Sequence, residues 1–290
     1  MSELTSIIMI SCFELIYIGK FVPLIWRILF DSTLSIVLTK LETIHEKLIR
    51  LNVVGPINIK MYWIYIIGFI GNVMGVVTQT VRVLNIVENL KTQEMINLTV
   101  MNTCQLVVFY EYILLILYTQ WIVYKINEQI PEIRSCLSTF RDMYLEVLEC
   151  LNDVNKSIYG LPAIVSFIAT NVAEIIYIIY NHILFPRNQF SAFPVIRLSM
   201  RVFNILTLYM TGQATEKEIN RMSLVLHQRS VIERNPRIKR QIKFFLLRRL
   251  HEHFHFQLYG IFYINIRQLL ILTNSAIGYL VIQILFRLNK

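Results

Sequence analysis

Apolar residues gather in six runs along the chain, at 6–30, 62–81, 106–123, 160–184, 195–210 and 269–286. Runs of this kind suit helices that rise 1.5 Å per residue across a hydrocarbon core about 30 Å thick. Two intervening stretches follow another rule. Leu34, Leu38, Leu41, Ile44, Leu48 and Leu51 recur at helical spacing among Lys40, Glu42, Glu46, Lys47 and Arg50. Over 127–156, Ile130, Ile133, Leu137, Phe140, Tyr144, Val147, Leu148 and Leu151 do the same. Both patterns predict amphipathic helices with one buried face. Helix-end residues agree: the stretch 52–56 ends the first, Pro162 stands in the opening turn of the fourth run, and Asn235-Pro236 caps a further helix bearing Ile238, Ile242 and Phe245.

Composition turns these runs into a class. Of 290 residues 55% are hydrophobic and only 16% charged, with a mean hydropathy of +0.53, too apolar for an ordinary soluble domain. The expected fold is all-α, a polytopic membrane helix bundle of six to seven transmembrane helices with cytosolic helical extensions. One domain spans 1–290, since no repeat or low-complexity linker divides it. A net charge of +9 could suggest nucleic acid, but the basic residues lie between the apolar runs, where the positive-inside rule accounts for them. Arg234, Arg237, Lys239, Arg240, Lys243, Arg248 and Arg249 therefore mark a cytosolic segment. Arg27 is placed inside, the sequon Asn97-Leu98-Thr99 outside as a glycosylation site, and the C-terminus outside. Cys12, Cys104, Cys136 and Cys150 have no metal-binding spacing, and no cofactor is implied.

The last run carries a polar stripe. Ser275, Tyr279 and Gln283 recur every four residues on one helical face, with Phe286 near the same line. This segment resembles the C-terminal signature of the insect gustatory receptors, chemoreceptors whose last helix carries Thr-Tyr, five mostly apolar residues and Gln-Phe. Tyr279 and Phe286 occupy the matching positions, while Gly278 and Leu285 replace the family's Thr and Gln. Upstream, Gly260-Ile-Phe-Tyr-Ile-Asn265 resembles the family's Gly-x-Phe-x-Ile/Leu-Asp/Asn block. The resemblance implies a ligand-gated cation channel in the plasma membrane, opened by a small-molecule tastant. It would be assembled as a homo- or hetero-tetramer with related subunits around the final helices, which makes Ser275, Tyr279, Gln283 and Phe286 pore-lining. It also implies seven helices, so six runs with an extracellular C-terminus suggest that the family's first helix is missing.

Charged groups inside the runs point to a ligand site. A charge at the bilayer centre costs about 2.5–3.5 kcal/mol on the insertion scale, so Glu14, Glu111 and Glu174 should face a cavity or a partner. Glu111 and Glu174, with Tyr110, Tyr112 and Tyr177 near them in sequence, are the candidate ligand-binding residues; interhelical hydrogen bonding is the competing explanation. A second chemistry is written in His251-Glu252-His253-Phe254-His255, which contains HExxH, the two ligands and general base of a zinc protease. No acidic residue follows Glu252 and the downstream positions for a glycine and a third histidine hold Leu258 and Ile261, so an enzyme is not expected. A six-helix transporter is the other alternative, although it would call for an inverted repeat.

Overall fold

The computed structural model describes residues 3–29, 31–51, 62–86, 92–131, 137–184, 192–250, 254–258 and 262–288. Each of the six apolar runs lies in a helix: α1 (Glu3–Leu29), α3 (Trp63–Ile86), α4 (Thr92–Gln129), α6 (Gly160–Leu184), α7 (Ala192–Ile232) and α9 (Ile266–Leu288). The amphipathic stretches become α2 (Asp31–Arg50), α5 (Leu137–Asp153) and α8 (Pro236–Leu250). Asn235 caps α8, its Oδ1 accepting the backbone N–H of Arg237 at 3.0 Å.

Two helices are much longer than their apolar runs. With 38 residues in α4 and 41 in α7, they extend for roughly 57 and 62 Å, about twice a hydrocarbon core. Nothing stops α4 before Pro131, or α7 before Asn235-Pro236. Consequently the second amphipathic stretch begins ten residues later than its spacing predicts: 127–129 close α4, and α5 starts at Leu137. Arg229 of α7 seals that helix end by donating to the carbonyls of Ile130 and Pro131, which have no partner within their own helix.

The projecting halves of α4 and α7 form a second layer with α2, α5 and α8. Its core joins Leu34, Leu41, Ile44 and Leu48 of α2 to Phe140, Tyr144 and Val147 of α5, Ile126 of α4 and Ile219 of α7. Val37 rather than Leu38 faces this core; Leu38 is exposed. Tyr144 donates to the carbonyl of Ile219 at 3.0 Å, and Asn127 donates to the carbonyl and carboxylate of Glu218, both at 2.9 Å.

In the apolar layer α1 packs along α6, where a side chain at Gly19 would run into Thr170. The outer faces of α1 and α3 expose Ile10, Phe13, Ile18, Ile67, Ile70 and Met74, as lipid-facing helices do. Ser6–Leu29 and Thr99–Gln129 are long and apolar enough to cross a membrane by that measure alone, and Trp63–Thr78 and Ala163–Ile179 are shorter apolar helices. Between α8 and α9 lies a strap, described over 254–258 and 262–265, whose Gln257–Leu258 and Phe262–Tyr263 pair as an antiparallel ladder, β1 and β2.

Candidate ligand-binding site

The upper part of α7 presents Arg197 and Arg201 four residues apart, hence on one face. Both turn toward Glu174 of α6, which is completely buried. Arg201 Nε lies 2.7 Å from Glu174 Oε2, and Arg197 Nη2 3.1 Å from the same oxygen. Lys20 of α1, also buried, places Nζ 3.8 Å from Oε1. One carboxylate thus gathers three cations from two other helices. Glu174 offsets one of these three buried charges, which lowers but does not cancel the cost of holding them in the apolar layer.

Beside this cluster a cavity opens between α3, α4, α6 and α7. Its volume is about 40 Å³, and it opens outward. Arg197 and Arg201 line it together with Asn72, Asn102, Gln105 and Asn204. Asn72 and Asn204 form a reciprocal amide pair from α3 to α7, at 2.8 and 2.9 Å, and Asn72 also donates to Tyr110 Oη at 3.2 Å. Asn102 is buried and makes no hydrogen bond among the described residues. Gly75 belongs to the wall, and a Cβ there would meet nothing within 4 Å. Gly71 and Gly68, one and two turns below, sit against Met200 and Phe203. The glycine row of α3 therefore brings helices together at one end and leaves room at the other.

The five residues singled out in the sequence separate. Glu174 stands behind the two arginines and Tyr110 beneath the amide pair, both at this site. Glu111 instead takes a two-pronged ion pair from Arg27 of α1, with Nε–Oε2 and Nη2–Oε1 both at 3.0 Å. Tyr112 is buried against the lower layer and donates to Asn155 Oδ1 at 3.0 Å. Tyr177 packs on the small α1–α6 cluster of Cys12, Ile16 and Ala173. Glu14 is exposed on α1. The amides were missed; a visible signal was Asn72, Asn102, Gln105 and Asn204 lying within or beside apolar runs, where an unpaired amide is costly.

The lower part of α7 holds the strap. Gly212, Glu216 and Asn220, at four-residue intervals, form one row. Asn220 exchanges two hydrogen bonds with the backbone of Phe254, at 2.9 and 3.1 Å. Glu216 Oε2 accepts the N–H of Phe256 at 3.0 Å, and Oε1 lies 3.3 Å from His255 Nδ1. Ile264, completely buried, donates its N–H to the carbonyl of Phe256 and lies over Gly212, where a Cβ would come within 2.9 Å of its carbonyl oxygen. His251, Glu252 and His253 fall outside the described residues, and no group of three or more His, Cys, Asp or Glu among the described residues could hold a metal. Of the stripe on α9, Ser275 is exposed; the side chains of Tyr279, Gln283 and Phe286 lie outside those described, as does that of Asn97.

A long-helix bundle whose apolar layer holds a polar cavity, over a second layer of amphipathic helices, is the architecture of an all-α membrane helix bundle. The family model described as 7tm chemosensory receptor matches residues 6–290, and the chain belongs to that family. Its membership agrees with the gustatory-receptor resemblance of the last helix, and the family is one of receptors rather than enzymes. No curated protein matches the chain.

Proposed function

We propose that this receptor is a subunit of a ligand-gated cation channel in the plasma membrane, formed by four copies or by this chain with related subunits. A small-molecule tastant opens it by binding in the cavity lined by Arg197, Arg201 and the four amides. The observation carrying the channel reading is the bareness of α9. Leu270, Ile271 and Leu272 are each about half exposed, at 58, 50 and 46%, and three successive positions sweep about 200° of a helix. Asn274 and Ser275 are exposed as well, so polar groups would meet lipid unless further subunits or water covered them. In a four-fold assembly Ser275, Tyr279 and Gln283 become rings along the conduction path, with Phe286 at its outer end.

Helix α7 supplies the connection. One uninterrupted helix carries the pocket arginines near its start and the Gly212-Glu216-Asn220 row lower down, about 16 Å from Arg201 to Gly212. Displacing it at the pocket shifts the strap, which enters α9 directly. Such a lever has the physical continuity that coupling between sites requires.

Cysteine substitution tests the pore. With Cys12, Cys104, Cys136 and Cys150 removed, a water-soluble thiol reagent should block current at positions 275, 279 and 283 and spare 277, 281 and 285. The reverse pattern moves the pore to the Leu285 face, and no accessible position from 273 to 286 ends the claim. An epitope after Lys290 should be reached by antibody on intact cells, since the C-terminus is placed outside.

A further inference from the structure

Resting on the pocket reading above, we infer that the ligand is a small anion, a carboxylate in chemical class, held between Arg197 and Arg201 and the amides of Asn102 and Gln105. The first ground is charge. Among the described residues Lys20, Arg197 and Arg201 stand against Glu174 alone, which leaves two positive charges in excess at this cluster. An uncompensated charge there is costly, and an anion in the cavity removes much of that cost.

The second ground is unused donors. Each guanidinium has five N–H groups in a fixed fork. Among the described residues Arg197 and Arg201 contact no acid but Glu174, and both meet it through the same oxygen, Oε2. Glu174 itself does not line the cavity; the two arginines do, with one side on the carboxylate and their remaining donors available to an incoming oxygen. Asn102, buried and unbonded among the described residues, adds an amide on the opposite wall. Gln105 spends its Nε2 on the carbonyl of Gly19 at 3.4 Å, a long bond that a better acceptor could displace. Paired N–H donors in this geometry suit the two oxygens of a carboxylate, as bidentate arginine contacts do.

Glu174 is then an internal competitor, an anion the protein supplies where the ligand's charge is needed. Its replacement makes a directional test. Receptor purified in uncharged maltoside detergent is titrated with butyrate, with butyramide as the neutral isostere, and melting is followed by intrinsic fluorescence. Butyrate should raise the melting temperature saturably and butyramide should not. Glu174→Gln should tighten butyrate binding roughly tenfold by releasing both guanidiniums. Arg197→Gln with Arg201→Gln should abolish the shift, and Arg27→Gln, at the separate Glu111 pair, should keep it. Should the double variant fail to fold, Arg201→Lys serves, with a weakened shift expected because a point charge cannot reproduce the fork.

Equal shifts from butyramide, no shift from butyrate, or weaker binding in Glu174→Gln would each overturn the anion. A shift produced only by added phosphatidylglycerol would assign the charge to a lipid phosphate and overturn a soluble ligand. The pocket itself is tested apart, with Gly75→Phe, which fills the cavity from a position where a Cβ has space. Currents evoked by neutral compounds that Gly75→Phe removes and the arginine variants leave intact would overturn the anion while leaving the pocket standing. Evoked currents unchanged by Gly75→Phe would remove the pocket.

Discussion

Glu216 and Phe256 are forty residues apart in sequence and joined at 3.0 Å, the carboxylate of α7 accepting the backbone N–H at the start of the strap that leads into α9. Phe256 is almost fully buried, so that N–H has no water to replace its partner. The bond ties the helix bearing the pocket arginines to the segment that sets where the last helix begins.

Removing this tie should uncouple binding from opening. Glu216→Ala leaves the Phe256 N–H unsatisfied, a loss of about 1–3 kcal/mol. Ligand-evoked current should fall severalfold at equal surface expression, while the ligand-induced rise in melting temperature is retained. Glu216→Gln, which keeps an acceptor oxygen, should behave nearer to wild type. Loss of the ligand-induced rise in Glu216→Ala would show that the strap shapes the pocket rather than transmits from it.

Gly212 tests the same contact by sterics. A Cβ there would stand 2.9 Å from both Cγ2 and the carbonyl oxygen of Ile264, a fully buried residue whose N–H is held by the carbonyl of Phe256, so its backbone cannot easily give way. Gly212→Ala should therefore destabilise by about 1–3 kcal/mol, as overpacking does. Gly75→Ala, with open space at its Cβ, should leave the melting temperature unchanged, and comparing the two is the check.

The amide pair of Asn72 and Asn204 should show strong coupling. Either Asn→Leu substitution strands the partner amide in the apolar layer and should cost about 1–3 kcal/mol. The double substitution removes both stranded groups and should recover part of that loss. Melting temperatures of the four proteins in the cycle measure the coupling, and simple additivity would deny that the pair acts as a unit.

Cys150 lies in the lower layer with no exposure, and burial pushes its thiol up to about 11 from an ordinary 9.0, an effect that Lys40 partly opposes. At pH 8 a water-soluble maleimide should leave it unmodified in the folded protein and label it after denaturation. A folded thiol that keeps its proton longer than the unfolded one contributes stability that is present below pH 9. That contribution is lost as pH rises from 9 toward 11. Cys150→Ala should flatten that part of the melting-temperature profile.

For the sequon, Asn97→Gln should remove a glycan mass shift in glycosylating membranes. An unshifted wild type would leave the side of the membrane on which Asn97 lies to be decided by the C-terminal epitope.

The sequence by itself determined the class and the helices. Lipid demands apolar side chains on every face it touches, so the apolar helices are written as continuous runs, and the amphipathic α2 and α5 as 3.6-residue patterns. It also marked the break at Asn235-Pro236, because capping side chains act locally, whereas the break at Pro131 lies inside the stretch that its spacing reads as one helix. Only the tertiary structure decided which polar groups share a site. Periodicity says that Arg197 and Arg201 lie on one face of their helix, but not that the face meets Glu174 from α6 and Lys20 from α1, nor that Glu111 is held by Arg27 instead. Those pairings span 23 to 154 positions of sequence and depend on how helices rotate against one another, which is set by the packing of glycines such as Gly19 and Gly68 against the side chains opposite.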